Sequence, residues 1–175
     1  AYDAYRKRAL FYPAVERTAG GLVGVLFAHP PTVKEVGKSY EPQFDDVTQT
    51  GISLGQYALL QSKEVVLVGR AGTLVEFPET EPGAVVTPSM RPYWVQYQAE
   101  QIVNWRTRRI NGQRKLSMLV LKEQVEIENE KDFFDPLIVT QYRVLTLDAQ
   151  GFYTVQLHRE RRNDQGEIAS GAFAE

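Results

Sequence analysis

The sequence predicts an α+β fold, with helices in its first half and an antiparallel β-meander in its second. Three observations carry that prediction. Helical spacing and capping signals run through residues 13–69, and an Asn-Gly pair at 111–112 separates two long β-prone runs. Later segments alternate apolar and polar residues with a period of two. The chain has 175 residues, 43% hydrophobic and 11% aromatic, which is enough apolar surface for a core and argues against intrinsic disorder.

Taken in order, Asp3 is placed to cap a helix through Arg6 to Tyr12, and Pro13 to open a second helix as its first residue. From Pro13 to Phe27 the apolar residues Val15, Leu22, Val23, Leu26 and Phe27 fall mostly on one helical side. Gly20, Gly21 and Gly24 each weaken such a helix by about 1 kcal/mol relative to alanine. Their clustering predicts either a backbone packed closely against them, as at a subunit contact, or a break at Gly20-Gly21. His29-Pro30-Pro31 ends the helix, because consecutive prolines cannot continue the hydrogen-bond ladder.

Residues 32–50 read as a polar connection with little regular structure. Ser53-Leu54-Gly55-Gln56 then has capping-box spacing, and Tyr57, Leu60, Glu64 and Val68 share one face of a helix that Gly69 closes. The β-branched run Val65-Val66-Leu67-Val68 leaves a second reading open, a helix ending near Lys63 and a strand beyond it. A short strand is predicted at 73–77, stopped by Pro78. The segment 78–92, with four prolines, is a loop that divides a mainly helical half, 1–92, from an antiparallel β half, 93–175. Together the halves read as one domain.

In the β half, Ile102–Ile110 and Gln113–Glu126 flank the Asn-Gly turn. Asp135-Pro136 precedes a strand at Ile138–Leu147, and Asp148-Ala149-Gln150-Gly151 turns into Phe152–Arg161. In that last strand Tyr153, Val155 and Leu157 alternate with Thr154, Gln156 and His158, the pattern of a half-buried strand. These signals predict a meander of about four strands. The opening lacks an initiator Met and a signal-peptide layout, and the chain stops abruptly at Phe173-Ala174-Glu175. Both ends read as those of a piece of a longer polypeptide.

Twenty basic and 22 acidic residues give a net charge of −2, so any contact with DNA must be local. There is no cysteine, hence no disulfide, thiolate metal site or cysteine nucleophile. No apolar run approaches the roughly 18 residues of a membrane span. Gly69-Arg70-Ala71-Gly72 lacks the Lys-Ser/Thr of a phosphate-binding loop and reads as a helix cap or turn. His29 and His158 lie in unlike segments, outside any metal-binding spacing. Glu126, Glu128 and Glu130 alternate along one strand end and would support a metal-dependent enzyme if they held a hard cation, but they read better as a solvated edge. Asp45-Asp46 reads the same way, and no nucleophile motif is present. Neither catalysis nor a cofactor is predicted.

Counting outward from the Asn-Gly turn pairs Ile110 with Gln113, Arg109 with Arg114 and Arg108 with Lys115. Like charges directly across a ladder are destabilising. A tip carrying Arg106, Arg108, Arg109, Arg114 and Lys115 is therefore either met by an anion, such as a DNA phosphate or a neighbouring subunit's carboxylates, or is a solvated tip with splayed side chains. The clusters Arg6-Lys7-Arg8 and Arg159, Arg161, Arg162 are open to the same two readings.

Several stretches carry a resemblance. Tyr5-Arg6-Lys7-Arg8-Ala9-Leu10-Phe11-Tyr12, Arg17-Thr18 and Gly21-Leu22-Val23-Gly24-Val25-Leu26-Phe27 form the first. Gly51-Ile52-Ser53-Leu54 leads into Val66-Leu67-Val68-Gly69-Arg70-Ala71-Gly72-Thr73-Leu74-Val75-Glu76-Phe77-Pro78. The most specific runs from Arg91-Pro92-Tyr93-Trp94-Val95-Gln96-Tyr97 to Ile102-Val103-Asn104-Trp105-Arg106, and Gln141-Tyr142-Arg143-Val144-Leu145 follows. The chain resembles, over nearly its whole length, a phage domain-of-unknown-function family grouped with the portal proteins of tailed phages; Pro13 departs from the pattern. The resemblance implies the peripheral wing of a ring-forming homo-oligomer, typically dodecameric, at one capsid vertex of the virion. Double-stranded DNA would pass through the ring during packaging and ejection, with terminase and then head–neck proteins docking on it. The stem helices, clip and any crown would lie beyond residue 175. A self-contained head–neck adaptor or interaction module is the alternative.

Overall fold

The computed structural model describes residues 2, 12–34, 36–37, 40–78, 83, 85, 87, 90–128, 134–162 and 168–174, with backbone alone beyond Glu160. The fold is α+β, and the chain divides into two compact units, 1–96 and 97–175. The helix expected through Arg6 to Tyr12 lies largely outside the described residues, as does much of 78–92.

In the N-terminal unit, α1 spans Ala14–Leu26. Pro13 is its N-cap and not its first helical residue. Its carbonyl accepts the Arg17 N–H at 3.0 Å, but its ψ of 66° lies outside the helical region. The helix runs unbroken through Gly20 and Gly21, and it ends at Phe27, ahead of the two prolines. Among the described residues a Cβ added at Gly20, Gly21 or Gly24 would meet nothing within 4 Å, so no described backbone approaches them. The break expected at Gly20-Gly21 does not occur, and no backbone of the described residues packs on the cluster. The glycines sit on exposed positions, where they weaken the helix without breaking it, and the helix rests on buried Ala19 and Val23, one turn apart.

Helix α2 spans Leu54–Val68, so the β-branched run stays helical to its end. Both ends are fixed by side-chain and backbone chemistry. Ser53 Oγ accepts the Gln56 N–H at 3.3 Å and Gln56 Oε1 accepts the Ser53 N–H at 3.0 Å. Gly69 closes the helix at φ 81°, its N–H donating to the Val65 carbonyl. Strand β1 (Gly72–Glu76) pairs with β2 (Tyr93–Tyr97), a strand the sequence reading did not assign. Buried Tyr57 donates its hydroxyl to Thr73 at 2.9 Å, and Gln61 Nε2 donates to the Gly72 carbonyl at 2.9 Å, tying α2 to β1. The connection at 32–50 is more ordered than its composition suggested. It holds a 3₁₀ turn at Glu41–Asp45 and a buried Val47, whose carbonyl accepts the Trp94 N–H.

The C-terminal unit is an antiparallel meander of five strands in sequential order: β3 (Ile102–Ile110), β4 (Gln113–Ile127), β5 (Leu137–Leu147), β6 (Tyr153–Arg162) and β7 (Ile168–Ala174). The expected count of about four is thus corrected by β7, whose Ala, Ser and Gly residues give little strand signal. Register places Leu119, Leu121, Glu123 and Val125 of β4 opposite Leu145, Arg143, Gln141 and Val139 of β5, all on one face. Leu121, 2% exposed, is its centre, and truncating such a residue to alanine costs about 2–5 kcal/mol. Full burial stops short of β6. Tyr153, Val155 and Leu157 continue the apolar face at 47%, 51% and 36% exposure, about half covered where Leu121 and Val139 are fully buried.

Candidate functional site

The basic hairpin forms as the Asn-Gly pair predicts. Asn111 and Gly112 have φ of 50° and 78°, the two positive values a tight two-residue hairpin turn requires. Arg109 lies opposite Arg114 and Arg108 opposite Lys115. Strand β5 begins its pairing with β4 only at Met118, so residues 107–116 extend beyond it as a two-stranded ribbon.

The base of the ribbon is braced. Tyr153 donates its hydroxyl to the Leu116 carbonyl at 2.6 Å, and Ser117 donates to the Arg106 carbonyl at 3.1 Å, beside a register shift in the ladder. Arg108 Nη2 donates to the carbonyls of Leu147 and Asp148 at 2.8 and 2.7 Å. The five cations grouped from sequence are therefore not equivalent. Arg108 is a strut that pins the ribbon to the β5–β6 turn. Arg106, Arg109, Arg114 and Lys115 are exposed, and none has a hydrogen-bonding or ionic partner for its side chain among the described residues. Thr107, Arg108, Arg109, Gly112 and Arg114 line an open hollow of about 420 Å³.

A second polar constellation went unpredicted. Glu123, on the inner face of β4, accepts from Tyr97 Oη at 2.5 Å, Gln141 Nε2 at 2.7 Å and Arg143 Nε at 2.6 Å. Gln141 Oε1 in turn accepts from Arg159 Nε at 2.6 Å. Desolvation by burial raises the Glu123 pKa, but the hydrogen bonds from Arg143, Tyr97 and Gln141 outweigh it and hold the carboxyl below its usual range. A carboxylate this fully donated to is held in its charged form, with its oxygens accepting from protein donors. The network fixes strand register. Its sequence signal was the placement of Glu123, Gln141 and Arg143 where the period-two pattern puts apolar residues.

Asp46 forms a smaller cluster in the N-terminal unit. Its Oδ1 accepts the Gly51 N–H at 3.0 Å, and Arg91 lies 3.4 Å from its other oxygen. Desolvation opposes ionisation there, and the bonds from Gly51 and the Arg91 charge overcome it, lowering the pKa. Asp46 is therefore a loop-closing residue and not part of a freely solvated acidic pair. Glu126 lies on the outer face at the end of β4, Glu128 follows the strand, and Glu130 is outside the described residues. Among the described residues no three His, Cys, Asp or Glu side chains converge on a possible metal position. Gly69 is a helix cap and Gly72 opens β1, so no helix follows this glycine pair as a phosphate-binding loop would need. Among the described residues no helix is long and apolar enough to cross a membrane. No protein-family model matches the chain, and no curated protein matches it in sequence.

Proposed function

We propose that this chain is the wing segment of a tailed-phage portal subunit, a structural and non-enzymatic module that packs against copies of itself in a ring. The resemblance described above supplies the family. The observation that carries the structural role is the apolar surface left uncovered on α1. Ala19 and Val23 form its buried side, and on a helical wheel Val15, Leu22 and Leu26 continue the same arc, with Val25 at its margin. All four are exposed, Val15 at 71% and Val25 at 76%. Burying what remains exposed of these four side chains would supply about 4–8 kcal/mol before the costs of association. Contiguous exposed apolar surface of this kind marks a contact surface.

Under this reading the ring sits at a capsid vertex of the virion, terminase and head–neck proteins dock on it, and double-stranded DNA passes through it. Electron microscopy of the full-length gene product tests the reading. Closed rings are expected, and replacing Leu22 and Val25 by glutamate should disperse them. A full-length product that is monomeric at all concentrations would refute it, as would rings indifferent to both substitutions.

A further inference from the structure

The geometry points to a phosphate site at the end of the β3–β4 ribbon, where a nucleic-acid phosphodiester group binds between Arg109 and Arg114 with the Thr107 hydroxyl as a third donor. This goes beyond the ring-subunit reading and holds or fails separately from it. From Ile102 to Leu121 the sequence has five cations and no carboxylate, so the ribbon carries no internal counter-charge. Thr107 and Arg109 are two residues apart on β3 and share a face, and Arg114 lies directly opposite Arg109. Gly112 contributes no side chain, and the hollow between these residues stays open.

Arg108 provides the internal comparison. Where acceptors are within reach, as at Leu147 and Asp148, the guanidinium takes them. Arg109 and Arg114 have none among the described residues, yet stand side by side at a cost in mutual repulsion. An anion in the hollow relieves that repulsion. One guanidinium fork satisfies both oxygens of a carboxylate in a plane, whereas a tetrahedral phosphate offers oxygens in several directions and accepts two forks and a hydroxyl together. The ribbon's form selects the source of the phosphate. A two-stranded β-ribbon fits the major groove of B-form DNA, about 12 Å wide, and Arg106 and Lys115, on the face opposite Arg109 and Arg114, are exposed as well. With a net charge of −2 such attraction is local and does not extend over the whole surface.

The test is fluorescence anisotropy of a short labelled DNA duplex titrated with the 175-residue chain over a range of salt concentrations. Replacing Arg109 and Arg114 together by glutamine should weaken binding at least about tenfold at low salt and flatten the plot of log K against log salt by about two. The Arg109→Lys/Arg114→Lys pair keeps both charges and should keep the slope, which shows that the hairpin still folds. Lys34→Gln with Lys122→Gln removes the same charge elsewhere and should leave the slope nearly unchanged. A slope unaltered by the glutamine pair, or lost equally in the Lys34/Lys122 control, overturns the proposal. Two further results also overturn it: perturbation of the Arg109 and Arg114 guanidinium NMR signals by inorganic phosphate without any duplex binding, and displacement of the duplex by polyglutamate at matched charge.

Discussion

Replacing Glu123 by leucine removes the acceptor shared by Tyr97, Gln141 and Arg143 on the inner face of the meander. The Glu123 side chain is 13% exposed and that of Arg143 20% exposed, so the loss takes the Glu123 charge away from a guanidinium that is four-fifths buried. Breaking one partner out of a buried pair costs about 3–5 kcal/mol, and the residual water access of Arg143 places this case near the lower end, about 3 kcal/mol. Arg143→Met should cost about 2–3 kcal/mol, because Glu123 keeps the donors Tyr97 and Gln141. Converting both partners to apolar residues, Glu123→Leu with Arg143→Met, removes both charges together and should cost only about 1–2 kcal/mol. The coupling energy of the cycle is then at least about 3 kcal/mol. Because the chain has two compact units, native-state hydrogen exchange at β4 and β5 amides reads this sheet more directly than whole-chain unfolding. A single variant losing under about 1 kcal/mol, or a double variant as unstable as the sum of the singles, would refute the register-fixing role.

Further outcomes follow from the same geometry. The folded Glu123 carboxyl titrates below its unfolded value, so the native state binds fewer protons. Its contribution is complete above about pH 4.5 and is lost as the pH falls through the folded value. Urea midpoints measured from pH 6 downward should therefore fall less steeply in Glu123→Gln than in the unsubstituted chain. Ser53→Ala removes one arm of the capping box and should destabilise α2 by about 1 kcal/mol, read as faster exchange of the Gln56 and Tyr57 amides. Arg108→Gln releases the ribbon from the Leu147 and Asp148 carbonyls, and NMR order parameters at residues 107–116 should drop while those at 118–127 hold.

Local chemistry was legible in the sequence and pairing was not. Asn-Gly fixed the hairpin and its register, and Ser53, Gln56 and Gly69 fixed both ends of α2, because each is satisfied by atoms within a few residues. Strand β2 was missed because Tyr93–Tyr97 is short, and β7 because its small residues carry little propensity. The Glu123 network needs the alignment of β4 with β5, which no single strand reveals. The basic tip was found as a cluster, but its division into a strut, Arg108, and exposed cations depended on where the β5–β6 turn places two carbonyls. The exposure of Val25 was equally hidden, since an apolar stripe looks the same in sequence whether or not anything covers it.

The most direct measurement of the ring-subunit reading is sedimentation velocity of the full-length gene product with and without Val25→Glu. The account predicts one large closed species that shifts to smaller forms on substitution. A lone monomer boundary in both samples would contradict it.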